Sequence, residues 1–233
     1  AVFVEAGTAT VEAEALAVPN YDRSPWFDRP ILGSGEANAR EDRPLRLAID
    51  LGTTTIVGRL LDPRAGEVHG IAARANGQRA WGADVISRIE AAAEPSVLSQ
   101  LHDSAVRQIG EILGELCLTA GRGSDELGEV VVAGNTVMLH LLLGRDPSGM
   151  GKLPFTPLFL GEVLLDAAQA GLALPPGSVL RLVPGISAFV GADLTSGILA
   201  TRLYEAERPQ LLVDLGTNGE IVLAVDGSLV CAA

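Results

Sequence analysis

The stretch "AIDLGTTTIVGRLLD", Ala48 to Asp62, returns in altered form as "LVDLGTNGEIVLAVD", Leu212 to Asp226. In each copy an apolar run ends in Asp-Leu-Gly-Thr and a second apolar run follows, which predicts a strand, a turn and a returning strand. A third apolar run comes next in both places, as "EVHGIAAR" and as "SLVCA". The chain therefore contains two copies of a three-stranded antiparallel meander, with more than half its length between them.

Between the copies, helical and strand patterns alternate. One apolar stripe at three- and four-residue steps predicts a long amphipathic helix, with Cys117 beside the stripe in the core; the stripe consists of Leu98, Leu101, Ala105, Ile109, Ile112 and Leu116. "GEVVVAG" predicts a buried strand, and "TVMLHLLLG" predicts a helix capped by Thr136. "SVLRLVPG" and "GADLTSGILATRLYEA" repeat the strand-then-helix order.

These patterns predict an α/β fold, a mixed sheet with flanking helices. We expect one complete lobe over residues 44–209 and the first strands of a second, truncated lobe over residues 210–233. Residues 1–43 contain short alternating runs followed by a proline-rich segment, which predicts strands and then a linker or arm. Whether that arm joins two copies in a homodimer is left open by the sequence.

The bulk composition limits the choice of partners. The formal net charge of −12 argues against nucleic acid as the main partner. No uninterrupted apolar run reaches the roughly 20 residues that a membrane span needs. Cys117 and Cys231 stand in no C-x-x-C motif, so we expect neither a disulfide framework nor an iron-sulfur cluster in this chain. This cysteine usage also leads us to expect a cytoplasmic protein. Because the chain opens at Ala1 without a leader, we expect a piece of a longer cytoplasmic protein.

The two DLGT turns bring together groups that suit a nucleotide. Asp50 and Asp214 are candidate Mg²⁺ ligands, directly or through bound water. Gly52 and Gly216 permit a close backbone approach. Candidate phosphate donors are the backbone N–H groups together with Thr53, Thr54, Thr217 and Asn218. Two such turns facing each other would hold the phosphates of ATP between the lobes.

The alternative is that D-L-G-T is merely a turn, because Asp and Gly are common turn formers. The duplication in matching contexts favours the binding interpretation. Asn135 is a candidate for positioning the attacking water, or it caps a helix. Asp193 is a candidate base or second metal ligand, or a first-turn acid that the helix dipole favours. Glu220 could reach the cleft or stand in solvent on its strand.

Several other residues have no derived task. Asp84, Ser87 and Arg88 are sufficiently explained as a capping acid with its neighbour and a surface arginine. The three histidines do not form a metal-ligand spacing, so ordinary surface or core positions are the default; they are His69, His102 and His140.

Several separate blocks carry a family resemblance, and they cover the chain from about residue 45 to its end. The chain resembles the corrinoid activation proteins, which belong to the superfamily of acetate kinase, sugar kinases, heat-shock chaperones and actin. The blocks are "RANGQRAWGADVISRI", "VVVAGNTVMLHLLLG", "PFTPLF", "PGISAFVGADLTSGIL" and "LLVDLGTNGEIVLA".

The resemblance implies an actin-like (ribonuclease H-like) fold and a defined activity. It implies ATP-dependent reductive activation, in which a partner corrinoid protein or corrinoid-dependent methyltransferase is returned from Co(II) to Co(I). It places the iron-sulfur cluster that supplies the electron outside this chain, in another domain or in a separate donor protein. It also implies that this chain alone binds ATP poorly.

Two other classes of function stay open. One is a small-molecule kinase of the sugar-kinase type, which would aim a catalytic acid at a substrate hydroxyl. The other is a non-catalytic module in which the nucleotide switches partner binding. The related activator of acyl-CoA dehydratases is remote, because Cys117 and Cys231 lack the surroundings of its cluster motif.

Overall fold

The computed structural model describes residues 2–4 and 43–233, and the predicted linker or arm lies outside the described residues. The strands of the first lobe are β2 (Leu45–Leu51), β3 (Thr55–Asp62), β4 (Glu67–Ala75), β5 (Leu127–Gly134), β6 (Val163–Asp166) and β7 (Val179–Leu182). The strands of the second sheet are β1 (Val2–Val4), β8 (Gln210–Leu215), β9 (Gly219–Val225) and β10 (Ser228–Ala232). The helices are α1 (Val85–Ala91), α2 (Pro95–Ala120), α3 (Thr136–Leu142) and α4 (Ala192–Thr201).

The first lobe is a mixed sheet in the order β4-β3-β2-β5-β7-β6. The predicted meander β2-β3-β4 is antiparallel, and β5 and then β7 continue the sheet in parallel with β2. The mixed sheet with helices between its strands is as predicted. The antiparallel edge strand β6 was not predicted, because its four residues are too short to give a periodic signal.

Helix α2 covers this sheet with the predicted stripe. Five of the six stripe residues are buried, and Leu98 is partly buried against the same core. Cys117 is only 5% exposed, which confirms its place in the core. The helix ends at Gly121, whose φ of 63° is the left-handed conformation that glycine adopts most easily.

Helix α3 is not capped as predicted. The side chain of Asn135 accepts a hydrogen bond from the N–H of Val137, so Asn135 is the N-cap and Thr136 is the first helical residue. The prediction of Thr136 as the cap was wrong by one position. Both residue types serve as helix caps. Because β5 ends at Gly134, the residue that follows it, Asn135, takes the cap position.

A buried ionic cluster holds the far end of the first sheet, away from the carboxyl ends of β2 and β5. Glu129 is 3% exposed and lies 3.3 Å from Arg46 and 2.6 Å from Arg181. Arg181 also pairs with Glu162. Because breaking a buried ion pair leaves a charge without a partner, this cluster is important for stability.

The second sheet has the order β1-β8-β9-β10, so Val2–Val4 joins it by pairing with β8. The predicted hairpin at Asp226-Gly227 is confirmed, since both residues have positive φ, at 49° and 73°. The residues of α4 are divided between two hydrophobic cores. Ala192 belongs to the core of the first lobe, whereas Leu194 and Ile198 belong to a second core with β8, β9 and β10.

Across the described part of the chain, no helix combines the length and apolarity needed to traverse a bilayer.

Candidate functional site

The two DLGT turns lie against each other. The hydroxyl oxygens of Thr54 and Thr217 are 2.7 Å apart, within hydrogen-bond distance, although 163 residues separate them in the chain. The expected facing of the two turns is therefore found. The turns differ in length, because residues 52–55 separate the last paired residues of β2 and β3, whereas residues 216–218 separate those of β8 and β9.

Three backbone carbonyls of the first turn accept hydrogen bonds from two residues that lie outside the turn. Asn76 donates from its side-chain amide to the carbonyl of Gly52, at 2.8 Å, and from its backbone N–H to the carbonyl of Thr54, also at 2.8 Å. Arg88 donates to the carbonyl of Thr53 at 2.6 Å. A side chain at Gly52 would meet the carbonyl oxygen of Thr55 at 2.6 Å, so only glycine fits this turn.

Arg88 is completely buried, so its interpretation as a surface arginine was wrong. Its guanidinium also donates to the carbonyl of Gly82 at 3.0 Å and to the side chain of Gln78 at 3.3 Å, and it contacts the sulfur of Met138. Burial lowers its pKa to about 10, which leaves it charged at neutral pH.

A sequence signal for this burial exists. Arg88 falls between Val85 and Ile89 on the face of α1 that turns to the core, and all three residues are buried. Asn76 and Gln78 belong to the same family block as Arg88, and their exposed fractions are 1% and 0%. The block therefore forms the buried support of the first turn.

The second turn has no such support. Its described internal bond runs from the N–H of Gly216 to the carbonyl of Asn218, at 3.0 Å. Within residues 43–233, no donor reaches the carbonyls of Gly216 and Thr217. The two turns thus differ in support as well as in length.

Four carboxylates converge where the turns meet. Asp50 stands near the end of β2 and Asp214 near the end of β8, directly opposite Glu220 on β9. Asp193 lies in the first turn of α4, where it accepts a hydrogen bond from the N–H of Leu194 at 2.9 Å. This places both predicted metal ligands and the predicted base in one region, together with Glu220.

These acids interact electrostatically, and their mutual repulsion contributes to raised pKa values. Loss of hydration raises the pKa of Asp50, and the charge of Asp214 raises it further. Loss of hydration also raises the pKa of Asp193, with a contribution from the charges of Asp214 and Asp50. The pKa of Glu220 rises to about 7, first through loss of hydration and then through Asp193 and Asp214.

Two glycines allow the neighbouring elements to approach closely. A side chain at Gly134 would lie 2.7 Å from the carbonyl oxygen of Leu51, so β5 ends tightly against β2. A side chain at Gly191 would lie 2.7 Å from the Cα of Asn135. These contacts bring Asn135 and Asp193 to the end of the sheet where the turns lie. The side-chain oxygen of Asn135 is used in the helix cap described above.

The four carboxylates together fit a magnesium ion that keeps its waters better than a metal ion bound directly by side chains. Acids that raise one another's pKa are stabilised when a cation sits among them. Among the described residues, however, no three His, Cys, Asp or Glu side chains are close enough together to hold a metal directly. Mg²⁺ usually keeps several waters and takes one or two carboxylates plus substrate phosphates, which this geometry suits.

Comparison with known proteins gives a family and two informative relatives. Residues 45–206 match the family described as the RACo middle region. A corrinoid activation enzyme, RamQ of Eubacterium limosum, is 33% identical over 188 residues. The solved structure of a reductive activator for corrinoid, iron-sulfur protein is 38% identical and superposes with a TM-score of 0.79. The expected α/β fold, a mixed sheet with flanking helices, is confirmed and is shared with that reductive activator.

The alignment covers most of this chain and a small part of each relative. It covers 80% of this chain and 31% of RamQ, and 82% of this chain and 31% of the reductive activator. The chain thus spans about a third of the length of the relatives it matches.

Proposed function

Because this chain belongs to the RACo middle region family, we propose that it supplies the ATP-binding part of an activator that returns a corrinoid protein from Co(II) to Co(I). The observation that carries this proposal is the contact between Thr54 and Thr217, 2.7 Å apart on two copies of one turn. The two named relatives, a corrinoid activation enzyme and a reductive activator, support the choice of substrate class.

In this proposal the two turns hold the phosphates of ATP. The N–H groups of Thr53 and Thr54 have no acceptor among the described residues, so they are available to phosphate oxygens. The hydroxyls of Thr54 and Thr217 give up their mutual bond and donate to the phosphates instead, and Asn218 donates its amide. Gly52 and Gly216 let the backbone come close to the ligand.

Magnesium, when bound, would neutralise charge on the phosphates and hold them in position. Asp50 and Asp214 would hold the ion, mainly through its waters. Asp193 accepts a proton from the attacking water, and Asn135 orients that water with its amide. The water oxygen bonds to the γ-phosphorus while the bond to the bridging oxygen breaks, which gives ADP, phosphate and a proton.

The redox step needs groups beyond this chain. Cobalt gains one electron from an iron-sulfur cluster in another domain or a separate donor protein, and the nucleotide cycle changes the surroundings of the corrinoid. The partners we propose are therefore a corrinoid protein or methyltransferase and an electron donor, in the cytoplasm, without nucleic acid or membrane. A homodimer built through residues 1–43 stays a prediction.

The test is ATP hydrolysis by the full-length protein, with and without a corrinoid protein held as Co(II). We expect stimulation by the partner, and we expect Asp214→Asn to abolish it. Asp226→Asn is the matched control, because it removes one exposed charge from the same sheet at a hairpin turn that accepts Asn.

Two outcomes would contradict the proposal. Phosphoryl transfer to a sugar or an acid would identify a small-molecule kinase. Nucleotide binding with no hydrolysis and no change in the cobalt state would identify a nucleotide-switched binding module.

A further inference from the structure

We propose that Arg88 and Asn76 are positioning residues for the nucleotide phosphates, which they orient through the backbone of the first turn. The inference rests on the proposed function, and it assigns a task to a block of sequence to which that function gives none. It starts from the three carbonyls described above, of Gly52, Thr53 and Thr54, which all accept hydrogen bonds from these two residues.

A peptide group is planar, so its N–H points away from its carbonyl. Holding the carbonyls of Gly52 and Thr53 toward the interior therefore turns the N–H groups of Thr53 and Thr54 the other way. Neither N–H has an acceptor within residues 43–233. The support thus presents two unpaired donors side by side, an arrangement that binds anions.

Arg88 is unusual for a buried arginine because its charge has no ion-pair partner among the described residues. No carboxylate in the described part of the chain lies within ion-pair distance of its guanidinium, and Asp84 acts on it only through space. Burying a charge is costly unless it is well paired. Here its partners are mainly carbonyl oxygens, and the retained positive charge lies directly behind the turn.

The support itself is fixed by a second layer. The side chain of Gln78 accepts from Arg88 and donates to the carbonyl of Leu101 on α2, at 2.9 Å. The side chain of Gln108 accepts from the N–H of Gly77, at 2.7 Å, next to Asn76. The first turn is thereby tied to the helix that covers the sheet, whereas the described hydrogen bonds of the second turn are its internal bond and the contact between Thr217 and Thr54. The first turn is preorganised, and the second closes on the ligand.

The experiment uses the full-length protein and four variants: Arg88→Met, Arg88→Lys, Asn76→Ser and Glu129→Gln. Dissociation constants for MgATP and for inorganic triphosphate are measured by calorimetry, and amide hydrogen exchange is measured on the ligand-free proteins. Glu129→Gln is the control for general destabilisation, because Glu129 is buried in the ionic cluster at the far end of the sheet.

We expect Arg88→Met to weaken both ligands about tenfold or more, because a charged hydrogen bond to the turn is lost. Arg88→Lys keeps the charge and one donor, so it should recover part of the affinity. Asn76→Ser should weaken both ligands. Glu129→Gln should bind both within about twofold of wild type despite a lower melting temperature. In the Arg88 variants the amide of Asn76, which is bonded to Thr54, should exchange faster.

Equal losses of affinity in Arg88→Met and Glu129→Gln, or none in Arg88→Met, would overturn the inference. If Arg88→Met does not fold, Arg88→Lys and Asn76→Ser decide by the same criteria. If the wild type binds neither ligand, the proposed function fails. The hydrogen exchange of the Asn76 amide then tests only whether Arg88 and Asn76 support the first turn. An unchanged exchange rate in the Arg88 variants would contradict that support.

Discussion

Asp214 on β8 lies directly opposite Glu220 on β9, so two carboxylates share one face of the second sheet. Like charges in such a pair destabilise the sheet. The first meander has Asp50 opposite Val57 at the equivalent place, so only the second copy carries this acidic pair. A protein tolerates such repulsion where a cation or a proton relieves it.

The pH dependence of stability should reveal this repulsion. The pKa of Glu220 is raised from 4.5 to about 7, so its protonated form stabilises the ligand-free fold at low pH. That contribution is lost as pH rises through about 7. Glu220→Gln should therefore be more stable than wild type at pH 8, by roughly 1–3 kcal/mol, with a smaller advantage at pH 5. Thermal melting at the two pH values measures it, and a gain that does not vary with pH would contradict it.

The hydroxyl pair should matter for ligands and little for folding. Thr54 and Thr217 are exposed, so replacing either by Val should change the free energy of unfolding by less than about 0.5 kcal/mol. Each change removes one donor to phosphate and should weaken MgATP binding about three- to tenfold. Calorimetry on the full-length protein tests this, with Thr119→Val on α2 as a control. Unchanged affinity in both variants would mean that the hydroxyls do not reach the ligand.

His140 should make the fold sensitive to acid. Its Nδ1 lies 2.8 Å from the carbonyl of Thr136, and its Nε2 accepts from the N–H of Leu158 at 3.0 Å, so the buried ring is neutral. Burial lowers its pKa. The neutral form thus stabilises the fold above the ordinary histidine pKa of about 6.5, and this contribution is lost as pH falls below it.

His140→Gln should flatten that loss between pH 7 and 5. Faster exchange of the Leu158 amide in wild type at low pH would identify the bond that breaks. A wild-type stability that does not fall over this range would contradict the assignment.

Glu129 should be one of the costliest polar residues to change. Glu129→Gln removes the charge that Arg46 and Arg181 share, so two partly buried guanidinium groups lose this partner and Arg181 keeps only its pair with Glu162 among the described ion pairs. We expect a loss of about 3 kcal/mol in the free energy of unfolding. Denaturant titration measures it, and a loss below about 1 kcal/mol would show that water replaces the carboxylate.

Periodicity predicts the fold well and the support of the site poorly. The meanders and the stripe of α2 are visible because apolar residues repeat at the period of each element. The partners of Arg88 are not visible, because its bonds reach Thr53 and Met138, 35 and 50 residues away. Whether an arginine within an apolar stripe is buried depends on such distant carbonyls. The cap at Asn135 and the short strand β6 are local details that propensity does not decide.

The division of α4 between two cores determines where the molecule can be cut. Ala192 faces one core, while Leu194 and Ile198 face the other, so the seam between the lobes runs through a single helix. If the chain is divided after α4, Leu194 and Ile198 lose the strands of the second sheet against which they pack. If it is divided before α4, the core of the first lobe loses its contact with Ala192. The two lobes are therefore inseparable pieces, and engineering that exchanges one lobe must carry this helix along with the strands of both cores.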